Sequence, residues 1–252
     1  MAKTLRLLLG DQLNHKHSWF DQTDEEVLYF MAEMRQETDY VTHHIQKVVA
    51  FLSAMRNFSQ WLQERGHSII YYQLDHPDNE QDLTQNLEKL FKAHHIERFE
   101  YQLPDEYRLD QQLKEFSDSL ELDCEAVDTE HFLTSRTDLK TFFKGKKTYT
   151  MEYFYRDMRR KTGLLLDEDG GPEGGQWNYD ADNRKPAPGR DLLMPQPIRF
   201  RPDAITRDVL DMVAGRFSDH IGSLDHFHFA VTHEEALRQQ RQFLDEALPR
   251  FG

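Results

Sequence analysis

The sequence predicts an α/β fold: an open, five-stranded parallel sheet of doubly wound, Rossmann-like type, followed by a helical linker region. Three observations predict it. The apolar runs "TLRLLLG" and "EVLYFMAE" have strand length and lack polar alternation, so each strand would be covered on both faces. Segments with apolar residues at helical spacing come between such runs. The two patterns alternate over the first 130 residues, as strands joined by crossover helices do.

Strand 1 covers residues 4–10 and strand 2 residues 26–33. From about Asp39 to Arg65, Val41, Ile45, Val48, Val49, Leu52, Met55 and Leu62 form a helical stripe that Gly66 ends. "HSIIYYQLD" reads as strand 3 and "EQDLTQNLEKLFKAH" as the next helix; "RFEYQL" (98–103), a helix around 105–119 and "DCEAVD" (123–128) complete the alternation. Beyond residue 130 the pattern changes. A helical pattern covers 137–162, and 163–203 is a Gly- and Pro-rich stretch of the kind that links or wraps domains. Helical segments near 203–216 and 233–247 are expected to lack much to pack against. The expected division is 1–132 as the α/β domain, 133–203 as helix plus linker, and 204–252 as the start of a truncated helical domain.

Composition excludes several classes. With 38% hydrophobic and 12% aromatic residues in 252, the chain is long and apolar enough for a sizeable core. A formal charge of −14 excludes a uniformly nucleic-acid-coating surface and leaves only local contacts. The single cysteine, Cys124, excludes an internal disulfide and any all-cysteine metal or iron–sulphur site built from this chain alone. The first apolar run is too short for a signal peptide, and no window approaches 18 apolar residues. A cytoplasmic protein with no membrane partner is expected.

In an open α/β sheet, ligands bind beyond the carboxyl ends of the strands. Gly10, Asp11 and Gln12 end strand 1, and Glu33 ends strand 2. Glu37 follows, and one continuous helix would set Tyr40, His43, His44 and Lys47 at i, i+3, i+4 and i+7 on one face. "GDQLNHKH" contains neither phosphate-binding glycine motif. Acids, a phenol, imidazoles and one amine suit a neutral heterocycle carrying hydroxyls. The other reading of the same residues is a solvated helix start with locally capping histidines. Adjacent histidines point about 100° apart on a helix, so no metal site is expected.

Between Arg136 and Lys161, nine basic residues face three acids in an otherwise acidic chain. Lys144, Lys146, Lys147, Arg156, Arg159 and Arg160 carry much of that charge, interleaved with Phe142, Phe143, Tyr149, Tyr153, Phe154 and Tyr155. The pattern fits a nucleic-acid edge, an amphipathic helix against another domain, or a solvated face over a core stripe.

The stretches "LLLGDQL", "MAEMRQETDYVTHHIQKVVAFLSAMR", "MEYFYRDMRRKTGLL", "GGQWNYDADNRKP", "FRPDAITRDV" and "FAVTHEEA" together resemble the prokaryotic photolyase-related family of iron–sulphur bacterial cryptochromes and (6-4) photolyases. The resemblance covers essentially the whole chain. It implies an N-terminal antenna domain binding 6,7-dimethyl-8-ribityllumazine, and a C-terminal helical domain binding FAD and a four-iron four-sulphur cluster. The chain has about half the length of such a protein, so no catalytic residue is expected in it. Gly10, Asp11, Gln12, Glu33, Glu37, Tyr40, His43, His44 and Lys47 then become the chromophore-binding set, with Asp11, Gln12, Glu37 and Tyr40 foremost. The implied activity of the longer protein is light-driven repair of damaged DNA. The basic residues, with Trp177, Asn178, Asp180 and Arg184, would be DNA-edge or interdomain contacts. A blue-light sensory cryptochrome and a stand-alone small-molecule binding module are the alternatives. Uncovered helices in 205–247 would favour a homodimer.

Overall fold

The computed structural model describes residues 2–180 and 196–250. Strands β1 (Thr4–Leu7), β2 (Val27–Ala32), β3 (Ile69–Tyr72), β4 (Arg98–Gln102) and β5 (Asp123–Val127) form one sheet in the order β3-β2-β1-β4-β5. Every pairing is parallel. The helices are α1 (Arg35–Asp39), α2 (Ile45–Glu64), α3 (Leu83–His94), α4 (Tyr107–Ser119), α5 (Arg136–Phe143), α6 (Met151–Thr162), α7 (Ala204–Arg216) and α8 (His233–Gln242). The described residues fall into two compact units, one within Met1–His131 and Pro197–Gln242, the other within Phe132–Gln196 and Phe243–Gly252. No described helix is long and apolar enough to cross a membrane.

Alternation along each strand divides the core of the first unit into two layers. Leu5, Leu7, Phe30, Phe99 and Tyr101 join Leu87, Leu90, Leu109 and Leu113 of α3 and α4. On the opposite face Leu8, Tyr29 and Met31 join Val48, Leu52, Met55, Phe58 and Leu62 of α2. Both faces are covered, which explains the unbroken apolar runs of the strands. Strand β1 lies between β2 and β4, so successive crossovers leave it in opposite directions and open a crevice at its carboxyl end.

Local chemistry sets the ends of the elements. Gly66 adopts φ +84° after α2, and the His67 N–H reaches back to the Leu62 carbonyl at 3.0 Å. Asp82 caps α3 by accepting from the Gln85 N–H at 2.9 Å. Glu106 caps α4, accepting from the Arg108 and Leu109 N–H groups at 2.9 and 3.1 Å.

Three expectations are corrected. The stripe from Asp39 to Arg65 is not one helix, because α1 ends at Asp39 and α2 starts at Ile45. Val41 and Thr42 are weak helix formers, and His44 caps α2 by accepting from the Gln46 N–H through Nδ1 at 3.2 Å. Residues 137–162 likewise form two helices, with Gly145 at φ +76° between them. The segment at 203–216 does not lack a partner either. As α7 it joins the α2 side of the core through Val209, Val213 and Phe217, all with no exposed surface. Its amphipathic pattern was visible in the sequence, but the surface it would cover was not.

Helix α8 has a reciprocal cap, with the Glu235 carboxylate accepting from the Thr232 N–H and the Thr232 hydroxyl accepting from the Glu235 N–H. It buries no side chain. At its first residue, His233 stacks on His15 with ring centroids 4.3 Å apart, and Trp61 and Phe58 crowd the same imidazole at 4.1 and 5.1 Å. Burial, with His233 and Arg65 nearby, lowers the His15 pKa from 6.5 to about 4. The folded protein keeps this ring neutral, so between the two pKa values the unfolded chain binds the extra proton. Its contribution to stability is complete above pH 6.5 and declines as pH falls towards 4. Urea titrations at about pH 7.5 and about pH 5 should show a smaller acid-induced loss for His15→Phe than for the parent chain. Equal losses would contradict the assignment.

Candidate functional site

A cavity of about 280 Å³ opens beyond the carboxyl ends of β1 and β2, at the point where the sheet order reverses. Four parts of the chain wall it: residues 7–11, residues 32–55, Leu83 at the start of α3, and the start of α4 at Glu106, Arg108 and Leu109. Its interior is apolar, formed by Leu7, Leu9, Met34, Leu52, Met55 and Leu83. From α2, Lys47, Val48, Phe51, Leu52 and Met55 line it, a spacing that one helical face presents. A Cβ on Gly10 would lie 2.9 Å from the Met55 sulphur. Glycine therefore serves close approach to α2 here.

The rim is a connected polar run. Arg108 Nη2 donates to the Glu37 carboxylate at 2.8 Å, and its guanidinium lies 4.8 Å from the Tyr40 ring centroid. The Tyr40 and His43 rings meet edge to face at 5.4 Å, and His43 Nδ1 is 3.3 Å from Lys47 Nζ. Burial, Lys47 and His220 lower the His43 pKa. A neutral His43 accepts from the Lys47 ammonium through Nδ1, which leaves Nε2–H as a donor. Burial raises the Asp11 carboxyl, with Asp105 and Glu106 adding to the rise.

Glu33 also lines the cavity, but its carboxylate is engaged. Arg56 donates to it through two N–H groups at 2.6 and 3.0 Å, the Tyr71 hydroxyl at 2.8 Å and the Leu74 N–H at 2.9 Å. Burial first, and Glu33 second, hold the Tyr71 phenol well above its ordinary range, so it remains a donor.

Of the residues singled out from sequence, Gly10, Asp11, Glu33, Glu37, Tyr40, His43 and Lys47 line the cavity. Gln12 and His44 do not. Gln12 is buried, accepts from the Leu9 N–H at 3.0 Å and donates to the Gln102 carbonyl at 3.1 Å, joining the ends of β1 and β4. His44 caps α2 and lies against Gly222. Sequence reasoning missed Glu106, Arg108, Phe51 and Met55. For the first two a signal existed, since "PDEYR" follows strand 4 much as "GDQ" follows strand 1.

The arrangement suits a planar, weakly charged molecule with hydroxyl groups: an apolar slot for the ring, and donors and acceptors at the rim. Among the described residues no cluster of three or more His, Cys, Asp and Glu side chains could hold a metal ion.

In the second unit, Arg156, Arg159 and Arg160 converge on Trp177, with guanidinium carbons 5.7, 5.0 and 4.8 Å from its ring centroid. Glu152 binds both Arg156, at 2.9 Å, and the Asn178 amide, at 3.2 Å. Asn178 in turn accepts from the Asp180 N–H at 2.7 Å. Arg159 is buried and donates to the Leu164 and Leu165 carbonyls, a structural role. Lys146 lies 3.3 Å from the Phe142 ring centroid, and Lys144 and Lys147 are exposed. Arg184 lies outside the described residues.

The model of the deoxyribodipyrimidine photo-lyase-related protein family matches residues 6–229. A protein of Agrobacterium fabrum named "(6-4) photolyase" is 37% identical over 249 residues, which are 98% of this chain and 49% of the photolyase. An uncharacterised protein of Acanthamoeba polyphaga mimivirus is 26% identical over 170 residues, 66% of this chain and 82% of that protein. The chain thus spans about half the length of the photolyase it matches.

The Glu33–Arg56 pair generates a test of the scaffold beneath the cavity. Removing one partner of a buried ion pair strands the other charge, so Arg56→Ala should lower the unfolding free energy by about 3 kcal/mol in urea denaturation. Arg56→Lys should recover only part of it, because an ammonium cannot reproduce the two-pronged contact. A loss below about 1 kcal/mol would mean the pair is no more than a surface bridge.

Proposed function

Because the chain belongs to the deoxyribodipyrimidine photolyase-related protein family, we propose that it is the light-harvesting portion of a (6-4)-type DNA photolyase. Its cavity holds 6,7-dimethyl-8-ribityllumazine. The observation that carries this reading is the cavity at the sheet's reversal point, an apolar slot rimmed by Glu37, Arg108, Tyr40, His43 and Lys47. The flat pteridine suits the slot between β1 and α2, where Leu52, Met55 and Leu9 exclude water. The ribityl hydroxyls suit the rim, where Asp11 and Glu106 accept and Arg108 and His43 Nε2–H donate. Nothing in the loop after β1 cradles a diphosphate, so a dinucleotide fits poorly.

The lumazine, when bound, supplies absorption in the near-ultraviolet and violet and transfers excitation to FAD. The residues of this chain bind it, orient it and keep it dry, and they form no bonds with it. FAD, the four-iron four-sulphur cluster and the repair chemistry belong to the remaining half of the longer protein. Cys124 is the one cysteine here and cannot furnish a four-thiolate set. Damaged DNA is then the partner of the longer protein. In the second unit the exposed Lys144, Lys147 and Arg160, beside the ring of Trp177, are suited to a phosphate backbone or to the FAD-binding half.

Fluorescence titration of the chain with 6,7-dimethyl-8-ribityllumazine tests the antenna role. Saturable binding should weaken about tenfold or more in the Glu37→Ala, Tyr40→Ala double variant and in Arg108→Ala. A folded chain that binds no lumazine would remove this function from the cavity. Illumination of the longer protein with (6-4)-damaged DNA separates repair from signalling: damage left intact by protein that retains FAD would favour a blue-light sensor.

A further inference from the structure

One wall of the cavity is held from a distance of more than 170 residues in sequence. Between Tyr40 and His44 the backbone has left α1 and has not entered α2, so helical hydrogen bonds do not hold this turn. Residues 216–225, from the last residue of α7 onward, grip it on both sides. The Arg216 carbonyl accepts from Arg35 Nη2 at 2.6 Å, and the Arg35 guanidinium lies 4.2 Å from the Phe217 ring centroid. His220 Nδ1 is 2.9 Å from the His43 carbonyl. The Ile221 carbonyl accepts from the Ile45 N–H at 2.8 Å, and the Gln46 amide donates to the Ser223 and Asp225 carbonyls at 2.8 and 3.1 Å. The approach is close enough that a Cβ on Gly222, at φ +100°, would lie 2.2 Å from His44 Nε2.

These contacts bracket the stretch that carries Glu37, Tyr40 and His43 and leads into Lys47. None of them enters the cavity. The partners on the far side are mostly backbone carbonyls, so this grip depends on where 216–225 lies more than on its side chains. It lies there because Val209, Val213 and Phe217 anchor α7 on α2.

We propose that residues 216–225 are a positioning clasp, which holds the 35–47 wall of the cavity in the geometry that receives the ligand. The ligand part of this inference rests on the reading of the cavity as a lumazine site; the clasp itself does not. His220 and Gly222 are positioning residues, acting through His43 and His44. Ordering a free turn costs conformational entropy, and the clasp meets that cost before the ligand arrives. Coupling of this kind is reciprocal, so a ligand in the cavity also steadies 216–225.

Hydrogen–deuterium exchange on the 252-residue chain, paired with lumazine titration, tests both parts in the parent, His220→Ala, His220→Asn and Gly222→Ala. In the ligand-free protein, His220→Ala and Gly222→Ala should speed exchange of the 40–47 amides about tenfold and leave the strands unchanged. His220→Asn, whose amide nitrogen takes the place of Nδ1 and keeps a donor for the His43 carbonyl, should stay near the parent. Lumazine affinity should fall roughly fivefold in the two disruptive variants, and ligand should slow exchange of 216–225 in the parent. Unchanged exchange at 40–47 would overturn the clasp, whether or not ligand binds. Faster exchange with unchanged affinity would overturn its positioning role. Faster exchange in a chain whose parent binds no lumazine would uphold the clasp and defeat the cavity reading.

Discussion

The buried Glu33 carboxylate is the interaction on which the rest of the site depends. A charge there would be strongly unfavourable if left alone. Arg56, Tyr71 and the Leu74 N–H surround it, so the end of β2, the end of β3 and the middle of α2 meet at one carboxylate. Such a network stabilises only when all of its members are present. It sets where α2 crosses the sheet edge, and Met55, next to Arg56, therefore comes down on Gly10. The floor of the cavity is a by-product of this electrostatic tie.

Above that floor, the polar groups are arranged mostly by one another. Glu37 engages Arg108, Arg108 covers Tyr40, and Tyr40 meets His43. Glu106 has two tasks, capping α4 and lining the cavity, so the direction of α4 and the rim of the site are linked. The rim is ordered but not saturated, because the second Glu37 carboxylate oxygen is buried with no hydrogen-bond partner. A site built to accept hydroxyl groups would have such an open acceptor.

The strands were legible because a parallel sheet buries both faces and leaves unbroken apolar runs such as "EVLYFMAE". The position of the cavity was legible for a related reason: strand ends and the reversal of strand order point to it before any side chain is considered. The roles of individual residues were less so. Gln12 and Glu33 read as free polar groups at a strand end, since nothing nearby in sequence shows that Gln102 and Arg56 occupy them. The break at Tyr40–His44 was hidden because the apolar spacing runs through it, and this misplaced His44 in the cavity. Arg108 belongs to a different crossover, and periodicity does not report a pairing between elements so far apart. For α7 the pattern marked a buried face correctly and left its partner unspecified.

Strand β1 is made first and sits in the middle of the sheet, with β4 on one side. During synthesis it must wait for residues 98–102 before that side is paired, and the rim waits a little longer for Arg108. The outer face of α2 stays bare until Val209, Val213 and Phe217 emerge, roughly a hundred residues or about 5–20 seconds later at ordinary elongation rates. Until then the α2 side of the sheet has an uncovered apolar stripe, and the 40–44 turn lacks its contacts with residues 216–225. Exposed apolar surface of that kind favours aggregation, and residues 204–217 are what cover it in the folded chain.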